Sequence, residues 1–248
     1  MMWSGAANIR RLIVGVTSIF IISFAVGIAS AVSLTVLPVI IQMAPGQKAT
    51  TLTVINHGNR EIAFQVRTFA WTQVSGHNKL TPTAELLASP PLGTLAPGGR
   101  QIIRMVLRRP PQGREASYRI LLDEIPPPAA PGMVRIALRM SIPIFAEPQT
   151  RVAPHVLWQV ERRNGQTFLV GINDGTRHET LRDIKLQAPG GGTLKVESNI
   201  NPYILAGATM RWHIVTPSSP LAPGAVLQLT ARTNTGHIDQ SVRVVGSP

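Results

Sequence analysis

The sequence has no cysteine, and charged and aromatic residues make up only 15% and 5% of its 248 residues. Without cysteine, no disulfide can stabilise the fold, and neither a thiol nucleophile nor a thiolate metal ligand is available. The six histidines lie far apart without a metal-ligand spacing such as HExxH, and no GxSxG motif is present. These absences argue against an enzyme and against a metal or other cofactor.

Acidic residues are also scarce, which makes the chain strongly basic. It has 24 lysines and arginines but only 12 aspartates and glutamates, so its formal net charge is +12. The basic residues are scattered, and few aromatic residues lie between them, which argues against nucleic-acid binding. An acidic protein partner or an anionic surface suits such a charge better.

Residues 1–31 have the pattern of a secretory leader. Arg10 and Arg11 precede a long apolar run, which ends at an A-x-A cleavage sequence, Ala29-Ser30-Ala31. We therefore predict that the leader is removed on export and that the mature chain begins near Val32. The apolar run is long for a leader, so an uncleaved membrane anchor is the alternative.

The rest of the chain consists of short apolar runs separated by Pro and Gly, of which there are 21 each. This pattern predicts an all-β fold of two β-sandwich domains. It breaks at Glu147-Pro148, so we place the domains at residues 32–148 and 149–248. Residues 88–98 are expected to be a Pro/Gly-rich crossing segment, and Asn164-Gly165 predicts a tight hairpin. The predicted strands are 33–43, 51–55, 62–71, 100–108, 117–125 and 133–145 in the first domain, and 158–160, 167–172, 181–186, 193–197, 211–215, 226–232 and 241–245 in the second.

The clearest alternation lies in residues 133–145, where large apolar residues occupy every second position. A period of two places these side chains on one face of a strand. Full burial of such a row is worth roughly 1.5–3 kcal/mol per side chain, so the row needs a partner surface. The pattern alone fits either the core of its own domain or contact with another chain. The residues are Val134, Ile136, Leu138, Met140, Ile142 and Ile144.

Several short motifs follow one another in a recognisable order. They are Pro90-Pro91, Leu95-Ala96-Pro97-Gly98, Arg104, Glu115-x-x-Tyr118-Arg119-x-x-Leu122-x-Glu124-Ile125-Pro126, Ile136-Ala137-Leu138-Arg139-x-Ser141-Ile142-Pro143-Ile144-Phe145, Asn173 and Tyr203-x-Leu205-Ala206-Gly207. In this order the chain resembles, over essentially its whole mature length, the periplasmic pilus chaperones of the chaperone–usher pathway. The Tyr-Arg and Ser-Ile-Pro-Ile-Phe forms are most similar to the archaic branch of that family.

The resemblance implies a periplasmic chaperone with two Ig-like domains set at an angle and a cleft between them. Such chaperones bind pilus subunits that lack their last strand, lend them one of their own, and deliver them to an outer-membrane usher. A membrane would be contacted only through an uncleaved leader. The implied donor residues are Val134, Ile136, Leu138, Met140 and Ile142.

The chain departs from the family at the site that anchors the subunit's terminal carboxylate. Better-known members use an Arg in the first strand and a Lys at the end of the donor strand, whereas here residues 38–40 are apolar and position 143 is Pro. A buried carboxylate still needs a cation. The resemblance makes Arg119 the first candidate, followed by Arg104 and Arg139.

A second departure concerns the contact between the domains. Glu147 stands where the family has a basic residue, so the usual interdomain ion pair with Glu124 cannot form.

Two other interpretations remain open at this stage. In the first, the chain is a structural or adhesive Ig-like protein of the cell surface, and residues 133–145 are an ordinary core strand. In the second, the chain is a membrane-anchored form of the chaperone.

Overall fold

The computed structural model describes residues 34–128, 132, 134, 136–197, 202–215 and 221–246. These residues form two domains built from β-strands, which confirms the predicted all-β fold. The leader predicted for residues 1–31 lies outside the described residues. Within the part that is described, no helix is long and apolar enough to cross a membrane.

The first domain is a sandwich of two β-sheets. Its strands are β1 (Leu34–Leu37), β2 (Ile41–Met43), β3 (Ala49–Asn56), β4 (Ile62–Val74), β5 (His77–Pro82), β6 (Leu86–Ser89), β7 (Leu92–Leu95), β8 (Arg100–Leu107), β9 (Ala116–Ile125) and β10 (Arg139–Ala146). One sheet has the order β1-β3-β8-β6, and the other has the order β2-β10-β9-β4-β5, with β7 also paired to β4.

Alternation of apolar and polar residues explains why these strands pack as a sandwich. In β8, for example, Ile103, Met105 and Leu107 are buried, whereas Ile102 and Arg104 face solvent. The same alternation in the facing sheet places its apolar side chains against this row, so one core fills the space between the sheets.

The second domain contains the remaining strands. They are β11 (Val156–Arg163), β12 (Gln166–Asn173), β13 (Glu179–Gln187), β14 (Thr193–Val196), β15 (Tyr203–Ile204), β16 (Thr209–Val215), β17 (Val226–Thr233) and β18 (His237–Gly246). They pair in the order β14-β16-β12-β11-β18-β17-β13-β15, and β14 also pairs with β13, so the strands close around one core. Trp158 and Trp212 pack there with ring centres 5.8 Å apart.

The predicted hairpin between β11 and β12 is present. Asn164 and Gly165 have φ angles of 51° and 77°, which is the left-handed backbone that a two-residue turn of this type requires. Asn tolerates that conformation and Gly adopts it without steric cost, so this sequence fixes the register of the two strands.

The crossing segment at residues 88–98 contains strand structure that the sequence interpretation missed. β6 pairs with β8 in one sheet, and β7 pairs with β4 in the other. Pro90-Pro91 lies between them, at the point where the chain passes from one sheet to the other. Neither proline has a backbone N–H that could be donated to a β-ladder. The segment does cross, but it pairs on both sides of the crossing.

The strand predicted over residues 133–145 is shorter than expected, since β10 begins only at Arg139. Its neighbour β9 ends at Ile125 and is followed by Pro126-Pro127-Pro128. Proline has no N–H to donate to a ladder, and the described residues between Pro128 and Leu138, namely 132, 134, 136 and 137, belong to no strand.

Candidate binding cleft between the domains

A cavity of about 650 Å³ lies where the two domains meet. The first domain contributes β4, β5, β9, β10 and the turn before β2, and the second contributes the start of β15 and the residue before it. Most of the lining side chains are apolar. They are Val39, Ile40, Trp71, Asn78, Leu80, Arg119, Ser141, Pro143, Pro202 and Tyr203.

Arg119 is the charged residue among the described residues that line this cavity. It projects from β9 so that its guanidinium carbon lies 3.8 Å from the centre of the Trp71 ring and 5.8 Å from that of Tyr203. Burial lowers the pKa of Arg119, because removing water disfavours the charged form, and the neighbouring Tyr203 partly offsets this. A desolvated guanidinium among apolar walls is well suited to binding an anion.

The other two candidate anchors lie away from the cavity. Arg104 faces solvent on β8, in the opposite sheet from Arg119. Arg139 forms an ion pair with Asp123, which also accepts a hydrogen bond from Arg67 Nη2 at 2.7 Å. Of the three arginines, only Arg119 lines the cleft.

Asp123 is held ionised by these two arginines. Burial of its carboxyl group raises the pKa of Asp123, but hydrogen bonds from Arg139 and Arg67 lower it by more, so the net pKa is below the usual value. Arg139 is thus engaged in fixing the start of β10.

The positions at which the chain departs from the family pattern also line the cleft. Val39 and Ile40, whose side chains are 66% and 38% exposed, lie just before β2, and Pro143 is the direct neighbour of Arg119 in the register of β9 and β10. The apolar substitutions and the remaining cation therefore share one cavity.

The predicted donor residues run from solvent into the core along one face. Val134 and Ile136 are 91% and 89% exposed, Leu138 is 39% exposed, and Met140 packs partly against the core. Ile142 is only 4% exposed and belongs to the core of the first domain. Ile142 could therefore reach a partner only by leaving that core.

Glu124 has a different role from the interdomain pairing of the family pattern. Its carboxylate accepts a hydrogen bond from the backbone N of Leu138 at 3.2 Å, and its own backbone N donates to the carbonyl of Leu138 at 2.9 Å. Glu124 therefore fixes the point at which the exposed segment joins β10.

The domains are joined instead by a buried pair that sequence reasoning missed. Glu115 Oε1, at the start of β9, lies 2.7 Å from His178 Nδ1 of the second domain, and both side chains are almost fully buried. The ring of His178 stacks on Phe145 with centres 3.6 Å apart. Trp71 and Tyr203 complete this interdomain cluster.

An ion pair lies beside this contact. Arg177 Nη2 is 3.1 Å from Glu147 and its Nε is 3.8 Å from Glu115, so one arginine of the second domain bridges two acids of the first. Glu147 thus keeps an interdomain ion pair with the charges reversed. No spacing in the sequence could have identified Arg177 or His178, because both partners lie far away along the chain.

Among the residues that the structure describes, no three His, Cys, Asp or Glu side chains are grouped so that they could hold a metal ion.

Comparison with known proteins places these features in context. Residues 33–151 match the family of pili and flagellar-assembly chaperones, PapD N-terminal domain. The chain is 29% identical to the chaperone protein PapD of Escherichia coli over 139 residues, which is 54% of each chain, so the match spans about half the length of that relative. It is 25% identical to the chaperone protein ClpE of Escherichia coli over 208 residues, covering 71% of this chain and 74% of ClpE.

Solved structures show the same fold. The CsuC–CsuE chaperone–tip adhesion subunit pre-assembly complex from archaic Csu pili of Acinetobacter baumannii matches with a TM-score of 0.65 and 20% identity, covering 87% of this chain and 100% of that one. The SafA pilin–SafB chaperone complex of Salmonella enterica matches with a TM-score of 0.58 and 18% identity, covering 87% and 97% of the two chains.

Proposed function

Because its first domain belongs to the PapD N-terminal family of pili and flagellar-assembly chaperones, we propose that this protein is a periplasmic chaperone of the chaperone–usher pathway. It binds pilus subunits that lack their last strand, lends them its own exposed segment, and delivers them to an outer-membrane usher. One observation carries the proposal: a row of exposed apolar side chains continues a core strand into solvent beside a cleft that holds a cation.

The donor row consists of Val134, Ile136, Leu138 and Met140. Contiguous exposed apolar side chains are unusual on a soluble protein and mark interaction surfaces. A subunit that lacks one strand has an open groove in its core, which alternate side chains of an added strand can fill while backbone groups form the ladder. Each large apolar side chain that becomes buried in this way stabilises the complex by about 1.5–3 kcal/mol.

Arg119 is the residue that binds the terminal carboxylate of the subunit. Its guanidinium stacks near Trp71 and also lies 3.4 Å from the carbonyl of Ser141. A guanidinium has five N–H donors and can bind a carboxylate through two parallel hydrogen bonds. Arg104 and Arg139 rank below it because Arg104 lies on the other sheet and Arg139 is paired with Asp123.

The donor segment and the anchor act together on one ligand. β10 is paired with β9, which carries Arg119, so a strand added along the donor row would run towards the cleft. Anchoring the end of the subunit chain there fixes the register of the added strand. A fixed register matters because a shift by one residue would turn every donor side chain to the wrong face.

Periplasmic location is supported by the predicted leader together with the family match. Binding of subunits is consistent with the solved relatives, which include a chaperone–tip adhesion subunit complex and a pilin–chaperone complex. A plain structural or adhesive protein is disfavoured, because that interpretation requires Val134 and Ile136 to be core residues and both are exposed.

The proposal is tested by purifying the tagged protein from a periplasmic extract of the cells that naturally produce it. We expect an incomplete Ig-like subunit to copurify with the wild type and with Leu157→Asp, which alters an exposed leucine of the second domain. Ile136→Asp should lose the subunit, because the complex would bury an unpaired charge. Recovery of the wild-type protein alone, or equal recovery of the subunit with Ile136→Asp, would overturn the proposal.

A further inference from the structure

The described lining of the cleft carries positive charge, from Arg119, and is otherwise largely apolar. Val39, Ile40, Leu80 and Pro143, which we call the apolar collar, line the cavity that contains Arg119. The first three are exposed to solvent, although all are large apolar side chains. A surface of this kind is complementary to a ligand that has one carboxylate attached to an apolar group.

We propose that the apolar collar selects subunits whose last residue has a large apolar side chain. This inference rests on the proposed function, since it assumes that the terminal carboxylate binds Arg119. Every unmodified chain end carries a carboxylate, so Arg119 alone cannot distinguish one subunit from another. The collar would add selection by the side chain of the last residue.

Covalent geometry connects the two parts of the site. The carboxylate and the side chain of a terminal residue are attached to the same α-carbon. A carboxylate held by Arg119 therefore places the last side chain inside the cavity rather than outside it. At about 650 Å³, the cavity lies within the range of about 300–1,000 Å³ that is typical of sites for small ligands, so it has room for one large side chain.

The backbone holds the collar in a fixed place around Arg119. Val39 and Ile40 directly precede β2, which pairs with β10 in parallel through Ile41 and Ile144. Pro143 lies on β10 opposite Arg119. Strand pairing thus brings collar residues from two separate elements together around Arg119.

The collar would distinguish subunits by the side chain that the last residue of each one places in the cavity. A large apolar side chain would cover Val39 and Ile40, which are otherwise in contact with water. A charged one would be moved into an apolar cavity that has no described second cation to pair with it. A small one would bind through its carboxylate but would leave the collar exposed.

The test uses fluorescein-labelled peptides of sequence Gly-Ser-Gly-Ser-Xaa, titrated with the purified protein and followed by fluorescence polarisation. Xaa is Phe, Ala or Asp with a free carboxylate, or Phe with a terminal amide. We expect the Phe peptide to bind about tenfold more tightly than the Ala peptide, which corresponds to about 1.4 kcal/mol. The Asp and amide peptides should bind more weakly than the Ala peptide.

Variants separate the collar from the anchor. The double variant Val39→Ser, Ile40→Ser should bring the Phe-to-Ala ratio close to one while the dependence on the carboxylate remains. Arg119→Ala should abolish the dependence on the carboxylate. Leu157→Ser, which changes an exposed leucine that does not line the cavity, should behave as the wild type.

The failures are distinguishable. Equal binding of the Phe and Ala peptides, or a Phe preference that survives the double variant, overturns the collar proposal and leaves the chaperone function standing. If binding depends neither on the free carboxylate nor on Arg119, the role of Arg119 as the anchor in the proposed function is overturned. Absence of binding by every peptide at millimolar concentration also overturns selection by the collar.

Discussion

The guanidinium carbon of Arg119 lies 3.8 Å from the centre of the Trp71 ring, and Trp71 belongs to the cluster that joins the two domains. Trp71 also contacts Phe145 and Tyr203, with ring centres 5.8 Å and 5.6 Å away. The cation of the cleft is therefore held by the same aromatic residues that fix the domains against each other. Packing at the interface therefore sets the position of the cation that we propose as the anchor.

Replacement of Arg119 by alanine should abolish subunit capture. A hydrogen bond to a charged group is worth about 1.5–3 kcal/mol, and the loss is larger when the carboxylate stays buried without a partner. We expect affinity to fall at least tenfold in a binding assay with purified subunit. Arg119→Lys should recover only part of the loss, because an ammonium group cannot form the two parallel hydrogen bonds.

Arg104→Ala is the matched control, since it removes an exposed arginine from a strand of the other sheet. It should bind subunit as the wild type does. If Arg104→Ala abolished capture and Arg119→Ala did not, the carboxylate would be anchored elsewhere. A melting curve of each variant shows that loss of binding is not loss of fold.

Glu115 should be important for stability rather than for ligand contact. Its carboxylate is buried against His178, and its backbone N donates to the carbonyl of Thr176 at 2.9 Å. Leaving a buried hydrogen-bonding group without its partner typically costs about 1–3 kcal/mol, and more when the group is charged. We therefore expect Glu115→Ala to unfold at a clearly lower denaturant concentration than the wild type.

Glu115→Gln provides the comparison for that variant. The amide oxygen can still accept the hydrogen bond from His178 Nδ1, so the destabilisation should be smaller than with alanine. Equal unfolding midpoints for all three proteins would show that the pair does not hold the domains together.

The sequence predicted the local structure well, because alternation and turn residues act over short distances. Asn164-Gly165 specified its hairpin, and the alternation in residues 133–145 identified a row whose last members, Ile142 and Ile144, lie in the core. The family resemblance inferred from the order of the motifs is supported over the first domain, where residues 33–151 match the chaperone family model. It also led to Arg119, the candidate that lines the cleft.

The interdomain contacts could not be predicted in the same way. Glu115 stands in a recognised motif, but its partner His178 is 63 positions away in another domain, and nothing in either local pattern indicates the pairing. The sequence also did not predict that β10 begins only at Arg139, for a related reason. It depends on where the neighbouring β9 stops, and not on the alternation of residues 133–145 themselves.

Stability at acid pH should depend on Asp123. Its folded-state pKa lies below the usual value, so the carboxylate stabilises the fold above its unfolded-state pKa of about 3.9, and this contribution is lost as the pH falls through the lower folded value. Asp123→Asn cannot ionise and should show less loss of stability between pH 5 and pH 2. Parallel thermal melts across this range make the comparison, and identical slopes for the two proteins would contradict the assignment.

The exposed and buried parts of the donor row should respond in opposite ways to the same substitution. Leu138 and Ile142 lie on one face of the chain, four positions apart, but Leu138 is 39% exposed whereas Ile142 is 4% exposed. In Leu138→Asp the new carboxylate can stay in water, so the free protein should melt close to the wild type. Subunit binding should nevertheless fail, because the complex would bury that charge at a cost of several kcal/mol. In Ile142→Asp the carboxylate enters the core of the first domain, and since total stability is only about 5–15 kcal/mol, the domain should unfold. A collapse of the fold in Leu138→Asp would show that this residue serves its own domain, and the donor row would then end before it.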